Sequence, residues 1–130
     1  MLGLLRWVYL VPSLARTFAD PDVEAGQREV TVAVFRAMHQ FLGVGIGEHL
    51  GYLFTGIWSV LTGVAILGRD VVPAWMGWIG IVVGSGLIIG SAEFLGPNEE
   101  DGWSIAGAAI PILYIGWSLW LLAMGIALIL

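Results

Sequence analysis

The stretch from Gly102 to Leu130, GWSIAGAAIPILYIGWSLWLLAMGIALIL, contains 29 residues and no charged side chain. A helix that rises ~1.5 Å per residue needs about 20 apolar residues to cross a hydrocarbon core of ~30 Å. Two further uncharged stretches are of similar length, Leu50–Gly68 with 19 residues and Val71–Ala92 with 22 residues. In lipid, runs this long satisfy their backbone polar groups as helices. The sequence therefore predicts an all-α integral membrane bundle with three clear spanning helices, at 47–68, 73–95 and 103–130.

The composition of the whole chain agrees with this class and excludes others. Apolar residues make up 58% and charged residues 12%, and the mean hydropathy is +0.91. The absence of cysteine excludes disulfides and thiolate metal sites. A net charge of −5 without a basic cluster argues against nucleic acid as a partner. We expect a single membrane domain over 1–130.

The first 46 residues predict two further helices that differ in character. Residues 1–19 form a short N-terminal membrane helix, in which Arg6 lies near enough to the end to reach the membrane surface. Asp20 and Pro21 have the residue types of an N-cap and a first helical position. The mixed polar and apolar residues that follow predict an interfacial amphipathic helix over 20–46.

A glycine-rich segment, Gly43 to Gly47, precedes the first clear spanning helix. We expect it to loosen the chain between the interfacial helix and the membrane. The alternative is one continuous long helix.

The spanning helix at 73–95 carries small residues on two faces. One face has Gly77, Gly80, Gly84 and Ser91, and the other has Gly86 and Gly90. Small residues allow close backbone approach between membrane helices, so we expect neighbouring helices to pack on one of these faces or on the other.

Several short motifs occur in an order that resembles a known bacterial family. They are Leu2-Gly3-Leu4-Leu5-Arg6-Trp7, Ala19-Asp20-Pro21, Gly47-Glu48-His49-Leu50-Gly51-Tyr52-Leu53, Gly56-Ile57-Trp58, Pro73-Ala74-Trp75-Met76-Gly77-Trp78-Ile79-Gly80 and Glu93-Phe94-Leu95-Gly96-Pro97. Over nearly its whole length the chain resembles the multi-pass membrane proteins known as domain of unknown function 4386. The resemblance implies a helical protein of the bacterial cytoplasmic membrane, and it implies no particular chemistry. Family members have further membrane helices at the N-terminus, which we expect this chain to lack.

Five ionisable residues are predicted to converge at one end of the bundle. Because 47–68 and 73–95 are joined by a short connection, they run antiparallel, and the start of one meets the end of the other. This places Glu48 and His49 beside Glu93, and the interfacial helix brings Arg36 and His39 to the same membrane face. Ionisable groups at membrane depth suggest a ligand site, with Arg36 as the partner of Glu48 or Glu93. The alternative is a set of solvated helix ends in the headgroup region.

A polar stripe also runs down the helix at 47–68. It comprises Tyr52, Thr55, Ser59 and Thr62 below Glu48. The stripe fits a hydrophilic path or ligand wall, but hydroxyls at this spacing more often serve helix packing.

No catalytic residue, metal site or cofactor is predicted. On a continuous helix His39 and His49 would be ~15 Å apart along the axis, too far to bind one ion. One histidine with a partner from another subunit leaves a haem open as a less favoured alternative. Serine nucleophile motifs and phosphate-binding loops lack the required strand–turn–helix context.

Two functions remain after these exclusions. The first is a non-catalytic accessory, structural or assembly subunit that packs against other membrane subunits or against copies of itself. The second is the binding of a lipophilic ligand, such as quinone, lipid or haem, at the polar cluster. Transport ranks last because the middle of the bundle carries only hydroxyl groups. Membrane lipids are the remaining expected partner.

Overall fold

The computed structural model describes residues 2–69, 71–96 and 102–129, and within these ranges the chain is helical and contains no strand. The predicted all-α fold is therefore confirmed. The polar turns predicted around Arg69-Asp70 and at 96–102 lie partly outside the described residues. In chain order the described α-helices are α1 (Leu5–Tyr9), α2 (Val11–Ala19), α3 (Ala25–Met38), α4 (Leu50–Leu67), α5 (Ala74–Gly90) and α6 (Ser104–Ile129). A 3₁₀ turn precedes α1 at Leu2–Leu4, and a π-helix joins α3 to α4 at His39–His49.

The chain forms two compact units, Met1–Glu48 and His49–Leu130. In the N-terminal unit, α1 and α2 run antiparallel to α3 and the π-helix. The 3₁₀ turn before α1 approaches the π-helix closely at Gly3, where a Cβ atom would lie 2.5 Å from the Leu42 carbonyl oxygen and 2.9 Å from Gly47 Cα. Only a residue without a side chain permits this backbone contact.

The reversal between α2 and α3 differs from the predicted helix start. Asp20 follows the last residue of α2, and its Oδ1 accepts a hydrogen bond from the Asp22 N–H at 3.0 Å. This Asx turn uses Asp20 to reverse the chain, so the next helix begins at Ala25 after an extended Glu24. Pro21 lies in the turn and not at the first position of a helix.

The glycine-rich segment forms a π-helix instead of loosening the chain. Helical backbone continues from Ala25 to Leu67. This agrees with the alternative prediction, in which the segment is part of one continuous long helix. At Gly43 the missing side chain leaves room for the Arg6 guanidinium, whose Cζ and Nη atoms would lie 2.8 Å from a Cβ atom there. Arg6 therefore packs against the π-helix, and its Nη1 donates to the Gly3 carbonyl oxygen at 2.8 Å.

The C-terminal unit is built around α5, which carries glycines on both sides. Gly77 and Gly84 face α4, where a Cβ atom on either would lie under 3.0 Å from the carbonyl oxygen of a glycine in that helix. On the α6 side, Leu113 covers Gly86 and Ile110 covers Gly90. The prediction that this helix packs through a small-residue face is confirmed, and the structure uses both faces.

α5 ends at Gly90, before the predicted boundary at residue 95. Hydrogen bonds of the turn type replace the helical pattern there, since Ala92 N–H donates to Ile89 O at 3.2 Å and Glu93 N–H to Gly90 O at 3.0 Å. Gly96 then adopts a φ of 61°, in the left-handed region that favours glycine. Glu93 thus lies in the turn after α5 and not in its last helical turn.

Two helical runs are long and apolar enough to cross a membrane, Ala25–Leu67 with 43 residues and Ser104–Ile129 with 26 residues. The apolar helix α5 is shorter, with 17 residues. Length and composition therefore indicate membrane association. The number of three clear spanning helices stays a prediction.

Candidate functional site

A contact between the N-terminal side of α4 and the end of α5 forms the centre of the candidate site. His49 Nδ1 lies 2.6 Å from the backbone carbonyl oxygen of Ser91. A carbonyl oxygen only accepts hydrogen bonds, so Nδ1 carries the proton. In the neutral imidazole this leaves Nε2 with its lone pair, free to accept a hydrogen bond or bind a metal.

The same contact has a structural role. The last carbonyl groups of a helix have no partner within the helix, and a histidine can satisfy one of them. Ser91 is only 4% exposed, and its own hydroxyl donates to the Ile88 carbonyl oxygen at 2.7 Å. His49 therefore joins α4 to the buried end of α5.

Glu93 lies two residues beyond Ser91 and contacts α6. Its backbone carbonyl accepts the Trp103 N–H at 2.8 Å, just before α6 begins. Its carboxylate lies against Gly107, where an added Cβ atom would be 2.8 Å from Oε1. The structure thus places His49 and the Ser91–Glu93 turn at the same end of the α4–α5 pair.

Gly86 and Gly90 of α5 do not provide the space beside the Glu93 carboxylate, because these two residues are covered by α6 side chains. Gly107 provides the space instead.

The other three residues of the predicted cluster belong to the N-terminal unit. Arg36 is exposed, Glu48 is half-buried, and these two described residues form no ion pair with each other. His39 is half-buried and stacks on Phe35, with ring centroids 5.7 Å apart. The convergence of Arg36 and His39 on Glu93 stays a prediction.

The polar stripe of α4 is centred on a buried hydroxyl. Ser59 is 0% exposed, donates to the Thr55 carbonyl oxygen at 2.7 Å and accepts the Trp117 Nε1–H at 2.9 Å. Tyr52, Thr55 and Thr62 are half-buried, whereas Leu61 is 64% exposed. The hydrogen bond from Trp117 crosses from α6 to α4, which supports a packing role for this stripe.

An aromatic ladder, which was not among the features expected from the sequence, joins α4 to α6. Consecutive ring centroids lie 5.5, 6.0, 6.5 and 6.1 Å apart, each pair in an edge-to-face arrangement. The ladder runs through Tyr52, Tyr114, Trp117, Trp58 and Trp120. The sequence feature that could have predicted this ladder is the spacing of the aromatic residues of α6. They are three residues apart, which places them on one helix face.

The last ring of the ladder is anchored on α5. Trp120 Nε1 donates to the Met76 carbonyl oxygen at 2.8 Å, and its ring covers Gly80. With only 3% of its surface exposed, Trp120 is part of the core of the C-terminal unit.

The described residues contain no group of three histidine, aspartate or glutamate side chains placed to hold a metal ion. The chemistry that this end of the unit offers is a histidine of fixed tautomer, a carboxylate and the tyrosine ring of the ladder.

The comparisons with known proteins agree with the resemblance seen in the sequence. The model of the family described as domain of unknown function (DUF4386) matches residues 1–125, so the chain belongs to this family. No curated protein and no solved structure is significantly similar to the chain.

Proposed function

We propose that this member of the DUF4386 family is a multi-pass protein of the bacterial cytoplasmic membrane that acts as a non-catalytic accessory or assembly subunit. It does so by packing the outer face of α6 against a helix of another membrane chain, which is a second copy or a different subunit. The observation that carries this proposal is the pattern of exposed residues on α6.

This outer face is apolar along the whole helix. Its residues recur at alternating intervals of three and four, and all of them are exposed within the described structure. The seven larger side chains have exposed fractions between 52% and 86%. We call this set the outer seam: Ile105, Ala108, Ile112, Ile115, Leu119, Leu122, Ile126 and Ile129.

Small residues flank the outer seam on both sides. One flank has Ser104, Pro111, Ser118 and Gly125, and the other has Ala109, Gly116 and Ala123. At Gly116 and Gly125 an added Cβ atom would meet no other atom within 4 Å. Contact with fluid lipid sets no requirement on side-chain size, whereas small residues beside a seam permit a second helix to approach closely. The flanks therefore favour a protein partner.

Site-specific photocrosslinking in native membranes tests this proposal. A benzoylphenylalanine at position 115 should give a crosslinked product of discrete mass, and its mass distinguishes a second copy from another subunit. The matched control is position 82 of α5, since Val82 is 67% exposed and Ile115 is 63% exposed. Replacing Gly116 with leucine should abolish the product. Crosslinks to lipid alone from position 115, or equal products from positions 82 and 115, would contradict the proposal.

A second candidate function is the binding of a lipophilic ligand, such as a quinone or a haem, at the end that contains His49 and Glu93. The observation that favours it is the hydrogen bond between His49 Nδ1 and the Ser91 carbonyl oxygen, which orients the ring with Nε2 unprotonated in the neutral form.

Absorption spectra and organic extracts of the protein purified in mild detergent test this second function. A haem band or a co-extracted quinone should be present in the wild type, lost in His49→Ala and retained in Thr62→Val, a control in the same helix run. Ligand-free wild-type protein, or equal ligand content in His49→Ala, would exclude it.

A further inference from the structure

A groove in the N-terminal unit combines an apolar wall with two arginines. It lies where α2 runs beside α3 and consists of two adjoining cavities that share Phe18 and Val32 in their walls. The described residues around it include the long cationic side chains of Arg28 and Arg36.

The first cavity has a volume of about 260 Å³ and is lined by hydrocarbon. Its wall consists of Val11, Leu14, Ala15, Phe18, Thr31, Val32 and Phe35. Thr31 is the one polar side chain in this wall, and its hydroxyl already donates to the Gln27 carbonyl oxygen at 2.9 Å. The wall therefore suits an alkyl chain and offers little to a polar ligand.

The second cavity has a volume of about 320 Å³ and carries an excess of positive charge. Arg28 and Arg36 line it together with one carboxylate, Glu29. Although the two arginines are eight residues apart, or about 12 Å along a helix, both side chains reach this cavity.

Neither arginine has an anionic partner within the described residues. Arg28 Nη2 donates to the backbone carbonyl oxygen of Asp20 at 2.8 Å, and its buried Nε has no hydrogen-bond partner there. Arg36 is exposed and forms no ion pair with Glu29 or Glu48, two carboxylates of its own unit. An anion in this cavity would supply the missing partner.

We propose that this groove binds an anionic phospholipid of the surrounding membrane. The headgroup phosphate lies between Arg28 and Arg36, and the first part of one acyl chain lies against Leu14, Phe18 and Phe35. Guanidinium groups match phosphate oxygens in both charge and donor geometry. Filling the groove takes both the headgroup phosphate and the acyl chain of the lipid. The cationic cavity opens onto a hydrocarbon wall, and a free phosphate ion would leave that wall uncovered.

Lipid retention tests this site. The protein is purified from nanodiscs that contain equal amounts of dioleoylphosphatidylglycerol and dioleoylphosphatidylcholine, and the bound lipids are counted by native mass spectrometry. Wild-type protein should retain phosphatidylglycerol preferentially. In Arg28→Gln/Arg36→Gln this preference should fall by about fivefold for each arginine removed.

The matched control for the single variant Arg36→Gln is Arg16→Gln, which also removes one positive charge, here from α2. Arg16 is exposed, bonds to the Pro12 carbonyl oxygen of its own helix at 3.2 Å and lines neither cavity. It should leave the lipid preference unchanged. If Arg16→Gln lowers the preference as much as Arg36→Gln, lipid responds to total charge and the site does not exist.

Two further measurements distinguish binding in a shaped groove from the attraction of lipid to positive charge alone. Val32→Trp fills the shared wall without changing charge and should also reduce phosphatidylglycerol retention. Glycerol 3-phosphate, which has the phosphate headgroup without an acyl chain, should not displace the lipid.

If the double variant does not fold, the single variant Arg36→Gln replaces it in the lipid-retention experiment, because Arg36 is exposed. Unchanged retention in Arg36→Gln or in Val32→Trp, or displacement of the lipid by glycerol 3-phosphate, would overturn the proposal.

Discussion

Gly56 of α4 and Gly84 of α5 face each other so closely that a Cβ atom added to either would lie 2.6 Å from the carbonyl oxygen of the other. The relationship recurs seven residues further along α4, where a Cβ atom on Gly63 would lie 2.5 Å from the Gly77 carbonyl oxygen. In the opposite direction, seven residues from Gly56, His49 contacts the carbonyl oxygen of Ser91.

These three contacts share one register, with steps of seven residues or about 10.5 Å along each helix. A seven-residue repeat brings the same faces of two helices together at each step. The contact of His49 with Ser91 therefore follows from the same antiparallel packing as the two glycine pairs. A substitution at one of these glycines should therefore also disturb the contact between His49 and Ser91 at the candidate site.

Gly84→Ala should lower the free energy of unfolding by about 1–3 kcal/mol, because the new methyl group meets backbone atoms of α4 that cannot rotate away. Equilibrium unfolding in mixed detergent micelles measures this loss. The matched control is Gly51→Ala in α4, where an added Cβ atom meets no atom within 4 Å. It should be neutral or stabilising, since alanine is favoured over glycine inside a helix by about 0.5–1 kcal/mol. Equal losses in the two variants would show that the glycine contact is not tight.

The main features of the C-terminal unit were predictable from the sequence. Uncharged runs of sufficient length identify the helices, and the spacing of Gly77, Gly84, Gly86 and Gly90 identifies the two packing faces of α5. The helix ends were less predictable, because they depend on individual hydrogen bonds. An Asx turn at Asp20 delays the start of α3, and the turn bonds after Gly90 end α5 early.

The candidate site was predictable only where it depends on adjacent helices. A short connection between α4 and α5 is enough to bring His49 to the end of α5. The contact of Glu93 with Gly107 depends on how α6 is aligned against α5, and an apolar helix with glycine and alanine on several faces does not reveal that alignment. Tryptophans also have two roles here, since Trp75 and Trp78 are 54% and 60% exposed while Trp120 is buried.

The hydrogen bond between Trp117 and Ser59 should contribute a modest, measurable stability. Ser59→Ala should lower the free energy of unfolding by about 0.6 kcal/mol and at most about 1.7 kcal/mol, as found for interhelical hydrogen bonds in membranes. A double-mutant cycle with Trp117→Phe isolates the bond, because phenylalanine keeps an aromatic ring in the ladder and removes the N–H. Ser118→Ala is the control, since that hydroxyl is exposed and bonds within α6. Additive effects of Ser59→Ala and Trp117→Phe would show that the bond contributes nothing.

Glu93 and Gly107 should be energetically coupled. Leucine at position 107 would displace the Glu93 carboxylate, whose Oε1 lies 2.8 Å from the position of a Cβ atom there. Gly107→Leu should therefore destabilise the wild type more than it destabilises Glu93→Ala, with a coupling free energy of about 0.5–3 kcal/mol. The four unfolding free energies of this cycle measure the coupling. A coupling of zero would place the carboxylate away from α6.

In the N-terminal unit, Gly3→Ala should be more destabilising than Gly43→Ala. At Gly3 the new methyl group meets the Leu42 carbonyl oxygen and Gly47 Cα, which belong to the backbone and cannot move aside. At Gly43 it meets the end of the Arg6 side chain, which can rotate away at the cost of its bond to the Gly3 carbonyl oxygen. That bond to a charged donor contributes about 1.5–3 kcal/mol, partly offset by the preference of a helix for alanine.

Hydrogen exchange of the protein in nanodiscs compares the destabilisation of the N-terminal unit by Gly3→Ala and by Gly43→Ala. Amides in 5–19 and 25–38 should exchange faster in Gly3→Ala, while those of α5 remain as in the wild type. In Gly43→Ala the increase should be smaller. Gly26→Ala is the control for α3, because an added Cβ atom at this position meets no atom within 4 Å. Since backbone contact fixes Gly3 and a flexible side chain lies over Gly43, equal exchange in the two variants would contradict the antiparallel packing of the N-terminal unit.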